Sequence, residues 1–255
     1  MKFSSLGSGS KGNALLVAIG QSHVLMDCGF GLKESIARLA RLGVMPEQLN
    51  GIVVTHEHGD HIGGVARLAR KFNLPVWITH GTLRSQLKMF SNVSQINEIA
   101  PQHVFSIGDI EITPYPVPHD AVEPVQYVFS DGAKKLGVLT DTGCGTPHIE
   151  EMLNGCHALV LECNHDIDML MSSAYPYSLK QRVSGRYGHL SNQEAAGILS
   201  RLDVSKLQHL IAAHLSQENN TPKLAVQALC DVMDCTQDWV SVASQADGFD
   251  WREIK

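Results

Sequence analysis

The sequence predicts an α/β protein, and three observations carry that expectation. Short apolar runs bounded by Gly, Pro, Asn and Asp recur along the chain, as strands do. Stretches whose apolar residues fall at helical spacing lie between them. No apolar stretch approaches the ~18 residues of a membrane-spanning helix, so the core is that of a globule.

Ala14–Ile19 and His23–Met26 flank Gly20-Gln21-Ser22 and read as a hairpin. Ile36, Leu39 and Ala40 place a helix over Leu32–Leu42. Gly51–Thr55 reads as a buried strand and Val65–Phe72 as the helix after it. Pro75–Thr79 is a strand, and Gly81–Met89 a helix. Ile110–Val117 and Val125–Phe129 are strands, and Asp131-Gly132 turns the chain into the strand Lys135–Leu139. Ala158–Leu161 is a short buried strand. Ser191 caps a helix over Asn192–Leu202, with Glu194 completing a capping box. Gln208–Ala212 is a strand, Pro222–Asp231 a helix opened by Thr221-Pro222, and Trp239–Ala243 a late strand. No repeat or low-complexity segment interrupts this order.

The chemistry concentrates in His56-Glu57-His58-Gly59-Asp60-His61, between the apolar run Ile52-Val53-Val54 and Gly63-Gly64. Three imidazoles and a carboxylate of this run have metal-ligand character suited to zinc, iron or manganese. His56 and His58 alternate, so an extended turn can aim both at one ion. Asp60 and His61 lie on the following bend and can face a second. A surface loop that happens to be rich in His would not need this long HxHxDH pattern.

HxHxDH after a buried strand resembles the metallo-β-lactamase superfamily of hydrolases, and the resemblance runs from Phe3 onward. The motifs that the family places later are present in order: His119 after Ile112–Pro118, Asp141 after Leu136–Thr140, and His214 after Leu210–Ala213. Asp27 ends an early apolar run as the family also requires. The resemblance implies an αββα four-layer sandwich. Ser8–Asn13, Leu161–Asp166, Gly188–Asn192 and His214–Pro222 are similar, more narrowly, to a bacterial group of 5′→3′ DNA exonucleases, the WalJ/YycJ/VicX group. Lys11 and Cys163 depart from that group's pattern without removing a ligand.

Carried over residue by residue, the resemblance gives His56, His58 and His119 to one divalent ion and Asp60, His61 and His214 to another. Asp141 bridges them, screening two dications roughly 3.5–4 Å apart. It implies a hydroxide between two Zn²⁺, Mn²⁺ or Fe ions attacking phosphorus, with Asp60 and His189 as the catalytic side chains. Asp27 would orient a ligand ring or the loop backbone. Asp141 and His61 stand where β-lactamases proper commonly have a different residue or no ligand, which argues against antibiotic hydrolysis. The 73 positions from Asp141 to His214 leave no room for an inserted β-CASP domain, so residues 1–255 are expected to form one domain.

Around this centre, the Gly/Ser turn with Ser10, Lys11 and Asn13 can cradle a phosphate, or can simply be a β-turn. Ser191 and Asn192 open a helix whose N–H groups can meet an anion, with Asn164 nearby, or they can be a cap alone. His189 can protonate a leaving 3′ oxygen, and His165 competes for that role. Met169–Arg186 carries Lys180, Arg182, Tyr175 and Tyr177 with no acid after Asp168, which suits a strand of nucleic acid or an ordinary solvated helix. His23, His80, His103, His148, His157 and His209 have no motif context.

The net charge of −6 argues against broad nonspecific binding of nucleic acid, but two divalent ions would add positive charge where a phosphate sits. Six cysteines without a CxxC pair, and a start that lacks the apolar run of a signal peptide, point to reduced thiols in the cytoplasm and no membrane. Cys28 and Cys144 neighbour Asp27 and Asp141, and read more readily as packing residues than as ligands. Three functions fit. The first is a metal-dependent phosphodiesterase acting on DNA as a 5′→3′ exonuclease. The second is a small-molecule phosphodiester or thioester hydrolase. The third is a non-catalytic metal-binding partner in cell-wall signalling, which would not need a complete ligand set.

Overall fold

A computed structural model describes residues 1–255. The strands are β1 (Lys2–Gly7), β2 (Ala14–Ile19), β3 (Ser22–Met26), β4 (Gly51–Val53), β5 (Val76–Thr79), β6 (Ile96–Ile99), β7 (Phe105–Ile107), β8 (Ile110–Pro116), β9 (Val125–Ser130), β10 (Lys135–Leu139), β11 (Ala158–Glu162), β12 (His209–Ala213), β13 (Val240–Val242) and β14 (Phe249–Glu253). The helices are α1 (Leu32–Arg41), α2 (Gly59–Ile62), α3 (Val65–Phe72), α4 (His80–Ser85), α5 (Leu87–Phe90), α6 (Pro147–Leu153), α7 (Ile167–Ser172), α8 (Tyr177–Val183), α9 (Asn192–Leu199) and α10 (Pro222–Met233).

Two seven-stranded sheets form, in the orders β14-β1-β2-β3-β4-β5-β6 and β13-β12-β11-β10-β9-β8-β7. In each, consecutive residues alternate between two buried faces. Val17, Val24 and Val53 of the first sheet meet Val138, Val160 and Ile211 of the second in one inter-sheet core. Their neighbours Leu16, Leu25 and Ile52 point outward under Leu39 of α1 and Leu68 of α3. Leu139, Leu161 and Ala212 point outward under α6, α9 and α10. Strands buried on both faces read as continuous apolar runs because helices cover the outer side. The result is the expected helix–sheet–sheet–helix sandwich.

The pairs β3–β4, β4–β5 and β5–β6 are parallel, as are β10–β11, β11–β12 and β12–β13. Open sheets of this kind bind ligands outside the carboxyl ends of parallel strands. Asp27, the His56 loop, Asp141, Glu162 and His214 all stand at such ends. β14 pairs antiparallel with β1, so the two ends of the chain share a sheet.

Most expected elements recur within a few residues, and β2, α3 and β10 have the expected bounds. Strand Gly51–Thr55 stops at Val53, because the Thr55 N–H donates to Asp27 Oδ1 at 2.9 Å instead of to a neighbouring strand. The helix expected over Gly81–Met89 divides at Gln86 into α4 and α5. β6, β7 and β14 escape a pattern-based reading: they are short edge strands, and Asn97, Glu98 and Asp250 face solvent.

A single hydroxyl ties the second sheet to the first beside the site. Buried Tyr127 of β9 donates its Oη–H to Val54 O at 2.6 Å, two residues before His56. Tyr127→Phe leaves that carbonyl without its partner, and we expect a loss of about 1–3 kcal/mol. A urea midpoint equal to that of the parent chain would show that the bond contributes nothing.

Candidate metal centre

The site forms because backbone segments distant in sequence clamp one turn of helix. The α2 turn carries Asp60 and His61. Asn13 N–H donates to Asp60 O and Cys28 N–H to His61 O, both at 2.8 Å, while Gly64 N–H donates to Cys28 O at 2.7 Å. The approach is too close for a side chain at Gly29, where a Cβ would stand 1.8 Å from Asp60 O.

All seven side chains named from the sequence as ligands converge. Ligand atoms of His56, His58 and His119 lie within 4.8 Å of one another, as do those of Asp60, His61 and His214. Asp141 forms a further such group with His56 and His61, and another with Glu162, His189 and His214. It lies between the two trios.

Hydrogen bonds at the back of each ring set its direction. His61 Nδ1–H donates to Asp27 Oδ2 at 2.8 Å. Thr55 Oγ1–H also donates to Asp27 Oδ2, at 2.8 Å, and accepts from His56 Nδ1–H at 2.9 Å. Asp27 thereby orients one ring directly, a second through Thr55, and the loop backbone as well. Across the site, His214 Nδ1–H donates to Glu162 Oε1 at 3.0 Å and His119 Nδ1–H to Gly188 O at 3.0 Å. With the outer nitrogen tied to these acceptors, the inner Nε2 of each of these four rings faces the centre as the atom that a metal would take.

Three of the residues turn sharply as their strand ends. Asp27, Asp141 and His214 have φ of 59°, 51° and 55°, in the left-handed region. Asp and His enter that region more readily than most residues, yet each such position costs on the order of 1–3 kcal/mol.

The charges are strongly coupled. Burial works against a charged His214, but Asp141, Asp60 and Glu162 outweigh it and raise the ring to about 10. Burial is likewise overridden at His61, which Asp141, Asp27 and Asp60 hold well above its ordinary value. His56 is driven well below by burial and by the neighbouring His61 charge. Burial would lift Glu162, yet His189 and His214 hold its carboxyl down at about 2.

Buried His56 Nε2 and His214 Nε2 have no hydrogen-bond partner, and Asp141 Oδ2 meets only His61 Nε2, 3.1 Å away. Buried polar atoms are rarely left so, and a divalent cation would satisfy all three. The imidazole and carboxylate donors therefore fit metal ions, and suit zinc, manganese or iron.

The other residues named from the sequence divide. Asn13 reaches the centre, with Nδ2 3.2 Å from Asp60 Oδ2 and Oδ1 accepting from Gly9 N–H. Ser10 and His189 line a cleft of ≈ 310 Å³ with Asp120, Tyr175 and Arg182. Asn164 instead supports the His214 turn, donating to its carbonyl at 3.0 Å. The Ser191 hydroxyl caps α9, and the Asn192 amide pairs reciprocally with Asn220. These buried groups have their hydrogen-bonding capacity taken up within the fold. Lys180 Nζ donates to Met171 O and Ser173 O, and Arg182 pairs with Asp120 at 2.7 Å. His165 is buried outside the metal groups and lines a separate cleft. The thiol of Cys28 contacts Ser35 Oγ at 3.1 Å and is pushed up to about 11 by burial, a packing residue rather than a ligand.

Two residues of the site receive no role from the sequence. Glu162 falls in the Leu161–Asp166 run that carries the resemblance, but there it is only an acid at the end of an apolar run; in the fold it ends β11 fully buried. Its Oε1 accepts from both His189 and His214, and its Oε2 from Thr142 N–H and Leu190 N–H. Asp120 follows His119 and lies 3.5 Å from its Nε2, but by sequence it is one loop acid among several.

Residues 22–214 match the family model described as the beta-lactamase superfamily domain. The chain is 35% identical over 236 residues to an exodeoxyribonuclease YycJ of Bacillus anthracis, covering 92% of this chain and 89% of that protein. It is 34% identical over 232 residues to an exodeoxyribonuclease WalJ of Streptococcus pneumoniae, covering 88% and 85%. Among solved structures it resembles the Zn²⁺-bound PqqB of Methylobacterium extorquens, with a TM-score of 0.77 at 16% identity over 100% of both chains. YhfI of Bacillus subtilis gives 0.76 at 18% over 99% of each. At these identities the two structures speak for the fold alone.

Metal uptake must displace the protons that His61 and His214 hold on their inner nitrogens. Titrating metal-free protein with Zn²⁺ at pH 7 in weak buffer should therefore release about two protons per chain. The share from His214 should vanish as pH rises through about 10, where that ring is already neutral. Stoichiometric uptake with no proton release at pH 7 would contradict this charge distribution.

Proposed function

The chain belongs to the metallo-β-lactamase superfamily of hydrolases, and within it we propose a dinuclear phosphodiesterase that degrades DNA as a 5′→3′ exonuclease. The observation that carries this reading is the convergence of all seven donors in a protein alike, over nearly its whole length, to two exodeoxyribonucleases. The reading treats residues 1–255 as one domain without a β-CASP insertion, working in the cytoplasm. No helix is long and apolar enough to cross a membrane.

His56, His58 and His119 would hold one ion, Asp60, His61 and His214 the other, and Asp141 both. Two such ions, zinc or manganese or iron, supply a water deprotonated near neutral pH and positive charge for the phosphoryl oxygens. The remaining work falls to side chains. Glu162 accepts from His189 Nδ1–H at 2.8 Å, which fixes that ring against Asp141, 3.6 Å away. Burial opposes charge on His189, but Glu162 and Asp141 outweigh it and raise its pKa above the ordinary value, which favours the charged ring. The ring lies where the cleft meets the metal centre. His189 then donates its proton to the 3′ oxygen that leaves, and Glu162 holds it in place to do so. Ser10 and Asn13 border the scissile phosphate.

An alkoxide leaves poorly without a proton, whereas p-nitrophenolate leaves well. His189→Ala should slow cleavage of end-labelled DNA by about 10²–10⁴-fold. Hydrolysis of bis-p-nitrophenyl phosphate should fall far less, and elemental analysis should still find two metals per chain. Loss of a metal would make His189 a ligand. Parent protein that turns over the small ester and leaves DNA intact would favour the small-molecule hydrolase.

Asp141→Asn keeps the size of the side chain and removes its charge. Occupancy of at least one ion should fall and hydrolysis should be lost, with an unchanged circular-dichroism spectrum. Two full metals with parental turnover would rule out a bridging role.

A further inference from the structure

Between His61 and Asn97 the chain carries Arg67, Arg70, Lys71, Arg84 and Lys88 and not one Asp or Glu, in a protein of net charge −6. All five are exposed. None of them takes part in an ion pair, although Arg38, Arg41, Arg182 and Arg201 elsewhere each have an acidic partner.

The five form one surface. Arg67, Arg70 and Lys71 stand at i, i+3 and i+4 on one face of α3. Arg70 Nη1–H donates to Met89 O at 3.0 Å, joining the last turn of α3 to α5. Arg84 and Lys88 line one cleft of ≈ 440 Å³ along α4 and α5. α3 begins only three residues after α2, which carries Asp60 and His61, so Arg67 stands six positions along the chain from a residue of the metal centre.

Cations at a helix C-terminus can serve the helix dipole alone. That accounts for Arg70 and Lys71 in the last turn of α3. It does not account for Arg67 in the first half of α3; Arg84 and Lys88 stand in the last turns of α4 and α5, but helices of six and four residues align few peptide dipoles. Cations in a row recognise a repeating anion, and a sugar–phosphate backbone offers one charge per nucleotide whatever the sequence. Of the five only Arg70 is tied, to Met89 O, whereas both cations of α8 are tied, to Met171 O, Ser173 O and Asp120.

We propose that the flank formed by α3, α4 and α5 binds the sugar–phosphate backbone of the DNA substrate, beyond the nucleotides lying at the metal centre. The proposal rests on the DNA-phosphodiesterase reading for its substrate, and it places a binding track on α3, α4 and α5 rather than on α8.

The test uses the metal-loaded chain, a fluorescent 30-nucleotide DNA strand and the variant Arg67→Glu/Arg84→Glu/Lys88→Glu. Arg70 is kept because it holds Met89. A milder variant with Ala at the three positions guards against misfolding, and Lys206→Glu/Lys223→Glu/Lys255→Glu makes the same change of net charge elsewhere. By anisotropy, the Glu variant should bind DNA at least about tenfold more weakly at 0.1 M salt. Its slope of log affinity against log salt should fall by about two. The Ala variant should move the same way by less, and the distant variant hardly at all. KM for long DNA should rise with the dissociation constant, while turnover of bis-p-nitrophenyl phosphate stays as in the parent.

An unchanged salt slope, or an equal loss in the distant variant, overturns the proposal even if the parent degrades DNA. A parent that does not bind DNA overturns it too. A parent that binds DNA through these residues but does not hydrolyse it leaves the track standing and refutes the exonuclease.

Discussion

Everything at the site depends on a buried carboxylate accepting the outer N–H of an imidazole. The interaction occurs on both sides of the centre, as Asp27 with His61 and Glu162 with His214. In each case the partner ring is shut away from water, so the carboxylate decides both its tautomer and its angle. Asp27 extends its reach through Thr55 to His56, and Glu162 extends its own to His189. Two acids that need touch no metal therefore govern four of the rings around it. Losing either would free several rings at once, since a ligand pointed by packing alone turns more easily than one held by a charge-assisted bond.

The strained backbone follows from the same demand. A strand delivers its last side chain perpendicular to the sheet, whereas a shared site needs side chains from two sheets to meet beyond the strand ends. A left-handed residue bends the chain hard enough to do this, and Asp27, Asp141 and His214 each adopt it. The surrounding hydrogen bonds hold those conformations: His214 N–H donates to Ser8 Oγ at 2.9 Å, and Asn164 Nδ2–H to His214 O.

The sequence makes some of this legible and hides the rest for physical reasons. His56–His61 is readable because its ligands lie within one turn, where spacing alone implies geometry. His119, Asp141 and His214 could be placed because each closes an apolar run, although only the resemblance assigned them jointly. Glu162 lies in a matching motif, yet nothing local tells its role, which is to meet rings 27 and 52 positions away. Ser191 reads both as a cap and as part of an anion site, and in the fold its hydroxyl caps its own helix. Lys180 and Arg182 look like a basic track in one dimension, and in three dimensions each has partners within the fold. A charge count shows which residues are basic but not which have partners.

One feature of the first sheet bears on how the molecule is made. β1 pairs with β14, and Ser8, which receives His214, also donates its N–H to Ser244 O. The opening strand can pair at once with β2, but its other edge has no partner until residues some 240 positions later are present. Pairing at such separation is slow, because a long loop must close before any contact forms. On the ribosome that edge of β1 stays open through most of synthesis, and His214 cannot settle before its own neighbours arrive. A nascent fragment thus exposes the HxHxDH loop long before it can hold a complete centre, and hydrolytic capacity switches on only with the finished sheet.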